Sequence, residues 1–247
     1  MVLWSFMRIA VLDDEPDQLE FVCEALTIAG HACHAFSRGE DLLKRLRRET
    51  FDLLVLDWLV PDVGGDEVLR WVRLNQRASL PVIFMTNRGR DIDVALMLNS
   101  GADDYVVKPV SALVLTARVG ALLRRAYGSQ QPELTKTFGV YAFDLAARQA
   151  SVDGCPVYLT HKEFDLALML FQRLGQPLSR AHIFEAIWRQ AEDIPSRTMD
   201  THISVLRSKL NLRPENGFRL TPIYGYGYRL ERVDAASAVE TEAASGR

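Results

Sequence analysis

Two apolar runs in the first half of the chain, Leu53-Leu54-Val55-Leu56 and Val82-Ile83-Phe84-Met85, contain no polar residue. A strand can be apolar at every position only if both of its faces are covered, as in a parallel sheet between two layers of helices. Each run stops abruptly at a polar residue, Asp57 or Thr86. Residues 8–12 likewise run into Asp13-Asp14-Glu15, and residues 105–107 into Lys108-Pro109. Between such runs, apolar residues recur at helical spacing, as in Leu19, Val22, Cys23 and Leu26. Strands are therefore expected over 8–12, 32–36, 53–57, 82–86 and 105–107, alternating with helices. The expected first domain is a five-stranded parallel α/β sheet closed by right-handed crossovers.

Ligands of such sheets collect beyond the carboxyl ends of the strands. Asp13, Asp14, Asp57, Thr86 and Lys108 would share that edge. Taken singly, these residues have bland readings: an Asp at a strand end most often caps a helix, and Thr is a common strand former. Their joint occurrence at the ends of strands one, three, four and five points to phosphoryl chemistry. Phosphoryl transfer to a carboxylate brings two anions together, which a divalent cation must bridge. Mg²⁺ takes a few carboxylates, with waters and phosphate oxygens completing its shell, and Asp13, Asp14 and Asp57 supply the carboxylates. Lys108 and Thr86 are suited to meet the charge on the transferring group.

The 247 residues accommodate two ordinary domains. Three scattered cysteines (Cys23, Cys33, Cys155) are too few for a disulfide framework and imply a reducing cytoplasm. No apolar stretch reaches membrane length, so no membrane partner is expected. The net charge of −3 is unevenly spread: residues 1–127 carry 15 Lys/Arg against 18 Asp/Glu, and residues 133–232 carry 13 against 11. A mildly basic second half is compatible with nucleic acid. The organisation expected is a first domain over 1–127, a polar linker over 128–133, a second domain over 134–232 and a disordered tail over 233–247.

The second half reads as short strands over 138–159 broken at Asp153-Gly154, then three helices. Thr160-x-x-Glu163 forms a capping box, Ser179 can cap the second helix and Ser196 the third. Met199, Ile203, Leu206 and Leu210 mark the buried stripe of the third helix. A ribbon over 218–230 follows, with Gly225 and Gly227 at its turn. This order matches an α+β winged helix-turn-helix.

Residues 7–127 resemble the receiver domain of two-component response regulators, a flavodoxin-like fold. The likeness rests on Val11-Leu12-Asp13-Asp14-Glu15, Leu56-Asp57, Pro61, Gly65, Thr86 and 101–109 (GADDYVVKP). It implies that Asp57 accepts phosphate from a sensor histidine kinase, that Asp14, Asp57 and the backbone carbonyl of Leu59 bind Mg²⁺, and that Asp13 acts through water. It also implies that Tyr105 follows Thr86 inward as a switch residue, and that the protein is no enzyme beyond this self-directed transfer. Leu59, Gly64 and Asn87 depart from the usual receiver residues. A phosphatase of the haloacid-dehalogenase type uses similar groups, but its nucleophile follows the first strand in an Asp-x-Asp pattern, whereas Asp57 follows the third and is trailed by Leu59.

Residues 134–231 resemble the OmpR/PhoB-type effector domain, through Leu159-Thr160-x-x-Glu163-Phe164, Leu178-Ser179-Arg180, Trp188, residues 197–210 (RTMDTHISVLRSKL) and Gly225-x-Gly227-Tyr228-Arg229-Leu230. The resemblance implies promoter DNA and RNA polymerase as partners. The third helix would enter the major groove. Expected DNA contacts are Arg197, Thr201, His202, Ser204, Val205, Arg207 and Lys209 on that helix, with Tyr224 and Arg229 in the wing. Ser204, Val205 and Tyr224 stand where relatives often carry Arg, which makes a protein-interaction output with weak DNA binding the alternative reading.

The same family resemblance implies a homodimer through the fourth helix, fifth strand and fifth helix of the receiver. Val94 and Val114 replace its usual charged pair, Asp104 and Arg118 can still pair, and Leu98 joins the expected interface. His31-Ala32-Cys33-His34 looks like a metal tract, but strand alternation places His34 on the face opposite His31 and Cys33, so no metal is expected there. Trp188 is expected to anchor packing beside the third helix.

Overall fold

The computed structural model describes residues 6–75, 80–87, 89–127, 134–188 and 196–233, with the backbone alone at 196 and 197. The chain divides into two compact units, Met1–Gln130 and Gln131–Arg247.

The first unit runs β1 (Arg8–Leu12), α1 (Pro16–Ile28), β2 (Ala32–Phe36), α2 (Gly39–Leu46), β3 (Leu53–Leu56), α3 (Gly65–Asn75), β4 (Val82–Thr86), α4 (Asp91–Asn99), β5 (Asp104–Val107) and α5 (Ala112–Tyr127). All four strand pairings are parallel, in the order β2-β1-β3-β4-β5. The two faces of the sheet bury different residues of the same strands. Ala10, Leu12, Leu54, Leu56, Val82 and Phe84 pack with Leu42, Val68, Leu69 and Met97 on the side of α2, α3 and α4. Ile9, Val11, Leu53, Val55, Ile83 and Met85 pack with Val22, Leu26, Leu115 and Val119 on the side of α1 and α5. Side chains alternate across a strand, so covering both faces demands the unbroken apolar runs seen in the sequence.

Helix α4 departs from the usual amphipathic arrangement. Its buried positions are Asp93 and Met97, whereas Ile92, Leu96 and Leu98 are exposed. The Asp93 carboxylate pairs with Arg90, just before the helix.

The second unit opens with an antiparallel meander, β6 (Thr135–Phe138), β7 (Tyr141–Asp144), β8 (Gln149–Val152) and β9 (Cys155–Val157). Strand β6 lies before the region expected to start this sheet. Its Lys136 is the one buried residue among four, too short a signal to register as alternation. Three helices follow: α6 (His161–Gln172), α7 (Arg180–Trp188) and α8 (Ser196–Lys209). The capping box at Thr160 and Glu163 is formed at the start of α6, and the Ser179 hydroxyl accepts the His182 N–H at 3.2 Å. Strands β10 (Leu178–Ser179), β11 (Phe218–Ile223) and β12 (Gly227–Arg232) make a second antiparallel sheet in the order β10-β12-β11. A Cβ on Gly227 would lie 1.9 Å from the Leu178 carbonyl oxygen, so only glycine admits β10 at this point. The core is aromatic: Phe171 contacts Phe138, Tyr141, Phe143 and Phe218.

Val233 corrects the expected start of the tail. It is buried, and its N–H donates to the Gly217 carbonyl at 2.9 Å, so the ribbon holds it in the fold. Residues 128–133, expected as a linker, and the remainder of the expected tail lie outside the described residues. No described helix is long and apolar enough to cross a membrane.

Candidate functional site

The first site lies at the carboxyl edge of the parallel sheet. Asp13 follows β1 and Asp57 follows β3, and neighbouring strands tie both to that edge. The Asp57 N–H donates to the Leu12 carbonyl at 2.8 Å, and the Asp13 N–H to the Phe36 carbonyl at 3.1 Å. Thr86 ends β4 and is buried, and its carbonyl accepts the Lys108 N–H at 2.9 Å. Lys108 follows β5, and the peptide bond to Pro109 is cis.

The Lys108 ammonium donates to Asp13 Oδ2 at 2.7 Å and to Asp57 Oδ2 at 2.9 Å. All three side chains are nearly sealed from solvent. Burial disfavours the ammonium, but the two carboxylates outweigh it and raise the Lys108 pKa above the usual lysine range. At Asp13 burial dominates and raises the pKa, against the pull of Lys108 and of the Glu15 N–H, with Asp57 adding to the rise. The site therefore keeps its cation fixed between two carboxylates, in a medium of low dielectric where charge interactions are strong.

Carboxylate oxygens of Asp13, Asp14 and Asp57 lie within 4.8 Å of one another, and Asp14 is exposed. Three hard oxygen donors with one side open to solvent fit a divalent cation that retains waters. Among the described residues no other group of three or more His, Cys, Asp and Glu has metal-ligand spacing. Within the tract at 31–34, Cys33 packs at the rim of the α1 and α5 core, and the His34 ring meets Phe51 edge-on.

Gly65 is a structural condition of the site. A Cβ there would sit 2.1 Å from the Asp57 carbonyl oxygen, so α3 can start this close to the Asp57 loop only on a glycine. The Leu59 N–H lies 3.4 Å from Asp57 Oδ1, and the Leu59 side chain is exposed. Tyr105 is buried, cross-strand from Phe84, so its ring points inward as packed here.

Asp62 is a contributor that the sequence did not single out. Its carboxylate accepts the Gly39 and Glu40 N–H groups at 3.0 and 3.1 Å, capping α2 from the Asp57-side loop. The available signal was Arg38-Gly39-Glu40, a helix start with no capping side chain of its own.

On α8, Met199, Ile203 and Leu206 are buried, Thr201, Ser204, Arg207 and Ser208 are exposed, and Val205 is half-buried. The side chain of Arg197 lies outside the described residues. Four expected contacts have partners within the unit. The His202 ring packs edge-on against Trp188 at 5.4 Å, so Trp188 is the expected anchor and His202 its neighbour. Arg207 donates to the Leu220 carbonyl at 2.7 Å, fastening α8 to β11. The Lys209 ammonium pairs with the buried Glu163 carboxylate at 2.8 Å. Arg229 pairs with Glu231, two residues along the same face of β12, at 2.8 Å. Tyr224 is fully exposed at the tip of the wing. Asp200 also joins elements, since it accepts from Arg180 at 2.7 Å and from the Tyr228 hydroxyl.

On the α4–β5–α5 face, Arg118 donates to both Asp104 oxygens at 3.0 Å. Leu113, Val114, Ala117 and Arg118 line a shallow groove beside that pair. Val94, expected at the same interface, is only partly open to solvent. It is half-buried against the α2–α4 core, because it lies one helix step from Asp93 and Met97.

Comparison with known proteins places these two units in one family. The response regulator receiver domain family matches residues 9–120, and the family described as transcriptional regulatory protein, C terminal, matches residues 154–230. The transcriptional regulatory protein AfsQ1 of Streptomyces coelicolor is 38% identical over 222 residues, covering 90% of this chain and 97% of that protein. CreB of Escherichia coli, also a transcriptional regulatory protein, is 36% identical over 225 residues, covering 89% and 96%. The solved structure of DrrB, described as a Thermotoga maritima OmpR/PhoB homolog, is 31% identical and covers 92% of this chain and 99% of that one, with a TM-score of 0.45. With AfsQ1 and CreB matched along nearly their whole length, the chain belongs to the OmpR/PhoB-type response regulators, transcription regulators that join a receiver to a C-terminal regulatory domain.

Proposed function

We propose that Asp57 accepts a phosphoryl group from a sensor histidine kinase and that this controls promoter binding by the second unit, with RNA polymerase as the downstream partner. The observation that carries this reading is the buried Lys108 ammonium, 2.7 Å from Asp13 and 2.9 Å from Asp57. Asp13, Asp14, Asp57 and the backbone carbonyl of Leu59 would hold Mg²⁺, which when bound neutralises charge between donor and acceptor. Asp57 presents the nucleophilic oxygen, Lys108 keeps a cation beside it, and Thr86 supplies a hydroxyl at the end of the neighbouring strand. Tyr105 shares the core with Phe84 and would report the change at Thr86 to the α4–β5–α5 face.

Incubation with Mg²⁺ and acetyl phosphate should add one phosphate, labile to hydroxylamine. Asp57→Asn should abolish it, and undiminished labelling of that variant rejects the assignment. The DNA surface proposed is the open face of α8, with Thr201, Ser204, Val205 and Arg207, together with Arg197 near the start of that helix and Tyr224 and Arg229 of the wing; Lys209 and His202 support it from behind. The domains are proposed to span 1–127 and 134–232. Because Lys209 and Arg229 are already paired with carboxylates, a protein-interaction output remains a second reading. Gel shifts with genomic fragments separate the two: a retarded fragment supports promoter binding, and no shift at low salt favours a protein target.

A further inference from the structure

Residues 87–90 join Thr86, at the end of β4, to the first residue of α4. Two contacts hold this loop. Gly89 lies over Val107, the cross-strand partner of Thr86, and a Cβ added to Gly89 would sit 3.1 Å from Val107 Cγ1. Arg90 reaches past the start of α4 to Asp93, donating to Oδ2 through Nε at 2.8 Å and to Oδ1 through Nη2 at 3.3 Å. Asp93 is only 6% exposed, on the side of α4 that carries Met97 into the core. Neither residue is explained by the helix alone. A cation at a helix N-terminus opposes the helix dipole, and a carboxylate turned towards a core costs free energy unless it is paired. Three residues apart, each offsets the cost of the other. An ordinary helix-end ion pair would keep both groups on the solvent side, as Lys44 and Asp41 are on α2. Here the carboxylate is inside, so the arginine ties the last residue of the loop to the inner face of α4.

On the reading that Asp57 is phosphorylated, we propose that Arg90 and Asp93 are positioning residues for the transfer: their ion pair pins the loop after Thr86 and so fixes where the Thr86 hydroxyl stands. In that transfer an Asp57 oxygen forms a bond to phosphorus, the bond from phosphorus to the donor's leaving oxygen breaks, and the donor departs with that electron pair. A hydroxyl that meets the charge on the transferring group is effective in proportion to how little it must reorganise. Thr86 is held on one side by its strand, through the Lys108 N–H that its carbonyl accepts at 2.9 Å. On the other side it is held only as firmly as residues 87–90. Gly89 on Val107 and Arg90 on Asp93 fasten that loop to β5 and to α4, the two elements that flank it. Loosening the pair leaves Asp57, Lys108 and the acidic cluster in place and frees the one donor that a loop must hold.

The test measures phosphorylation of the full chain by acetyl phosphate and Mg²⁺ in the wild type, Arg90→Gln, Asp93→Asn and the double variant. The rate constant at saturating acetyl phosphate should fall about threefold in each single variant, the factor that a partly exposed ion pair supplies. The half-saturating concentration should not change, since the loss falls on the transfer and not on donor binding. The double variant should be no slower than the slower single one, because both changes remove the same contact. The final stoichiometry should stay at one phosphate per chain, whereas a variant that merely misfolds would lower that end point at an unchanged rate constant, which overturns the proposal. Unchanged rate constants in variants of a wild type that does take phosphate overturn it as well, and so do additive losses in the double variant. A wild type that takes no phosphate overturns the reading of Asp57 itself, and the role of the pair with it.

Discussion

Asp62 shows how one carboxylate can organise the loop that follows Asp57. Burial works against its charge, but the N–H groups of Val63, Glu40, Gly39 and Asp62 itself outweigh it and hold the pKa at about 2. The unperturbed value is about 3.9. A depressed folded-state pKa means that the stabilisation is complete above the unfolded value and fades as pH falls through the folded one. The receiver unit should therefore lose this contribution between about pH 4 and pH 2. Asp62→Asn should remove that part of the pH dependence while keeping an oxygen that accepts, whereas Asp62→Ala should also cost about 1 kcal/mol at neutral pH, the usual size of a lost helix cap. Thermal melts of the wild type and both variants across this pH range decide it; equal curves would mean that the cap contributes nothing. The residue escaped sequence reasoning because it caps a helix 22 residues earlier, and capping patterns are read only within a few residues of the helix they serve.

At the scale of elements, α8 is held by charges that a groove-facing helix would otherwise offer to DNA. Lys209 neutralises Glu163, whose pKa is lowered by that ammonium and by the Thr160 N–H despite burial. The same carboxylate closes the capping box of α6, so one Glu secures two helices. Lys209→Met should therefore act on stability, at about 2 kcal/mol for a hydrogen bond between charged groups. Each phosphate contact contributes about −0.9 to the slope of log affinity against log salt. Removing Lys209 should leave that slope nearly unchanged, whereas Arg197→Ala should make it shallower by about one contact. Denaturation curves together with salt-dependent binding isotherms check both, and a slope reduced by Lys209→Met would return that residue to the DNA surface. The outward stripe of α8 was legible from its period of apolar residues. Its ion pairs were not, since Glu163 and Lys209 are 46 residues apart.

For the molecule as a whole, the open question at the receiver surface is association. Ile92, Leu96, Leu98, Leu113 and Val114 are exposed on α4 and α5, around an Asp104–Arg118 pair already satisfied within the chain. Burying a Val- or Leu-sized side chain contributes about 1.5–3 kcal/mol, while exposed ion pairs contribute about 0–1 kcal/mol. Contiguous exposed apolar surface marks an interaction site. The unphosphorylated protein should therefore form a homodimer through this face, and the dimer should persist at high salt. Val114→Asp should dissociate it. Sedimentation velocity at micromolar concentrations is decisive: a monomer at every salt concentration, or a dimer indifferent to Val114→Asp, rejects this interface. Val94→Asp is unsuitable, because Val94 is half-buried against the core and its loss would also perturb folding.

The sequence by itself determined the strands and helices of the first unit and the helices of the second, and hence the fold class, while the short strands β6 and β10 left no readable pattern. Apolar runs covered on both faces, helical spacing and capping residues are local, and each limits the backbone to few choices. It also determined that Asp13, Asp57, Thr86 and Lys108 share one sheet edge, since parallel strands place all their carboxyl ends together. Only the tertiary structure decided which charges are spent within the protein. The pairing of Lys209 with Glu163, of Asp200 with Arg180 and Tyr228, and of Asp62 with α2 depends on distances across the fold, which long side chains bridge without leaving a periodic trace. Burial decided the rest: α4 turns Asp93 inward and its leucines outward, because the sheet it covers sets which face is buried, whatever the helix's own composition.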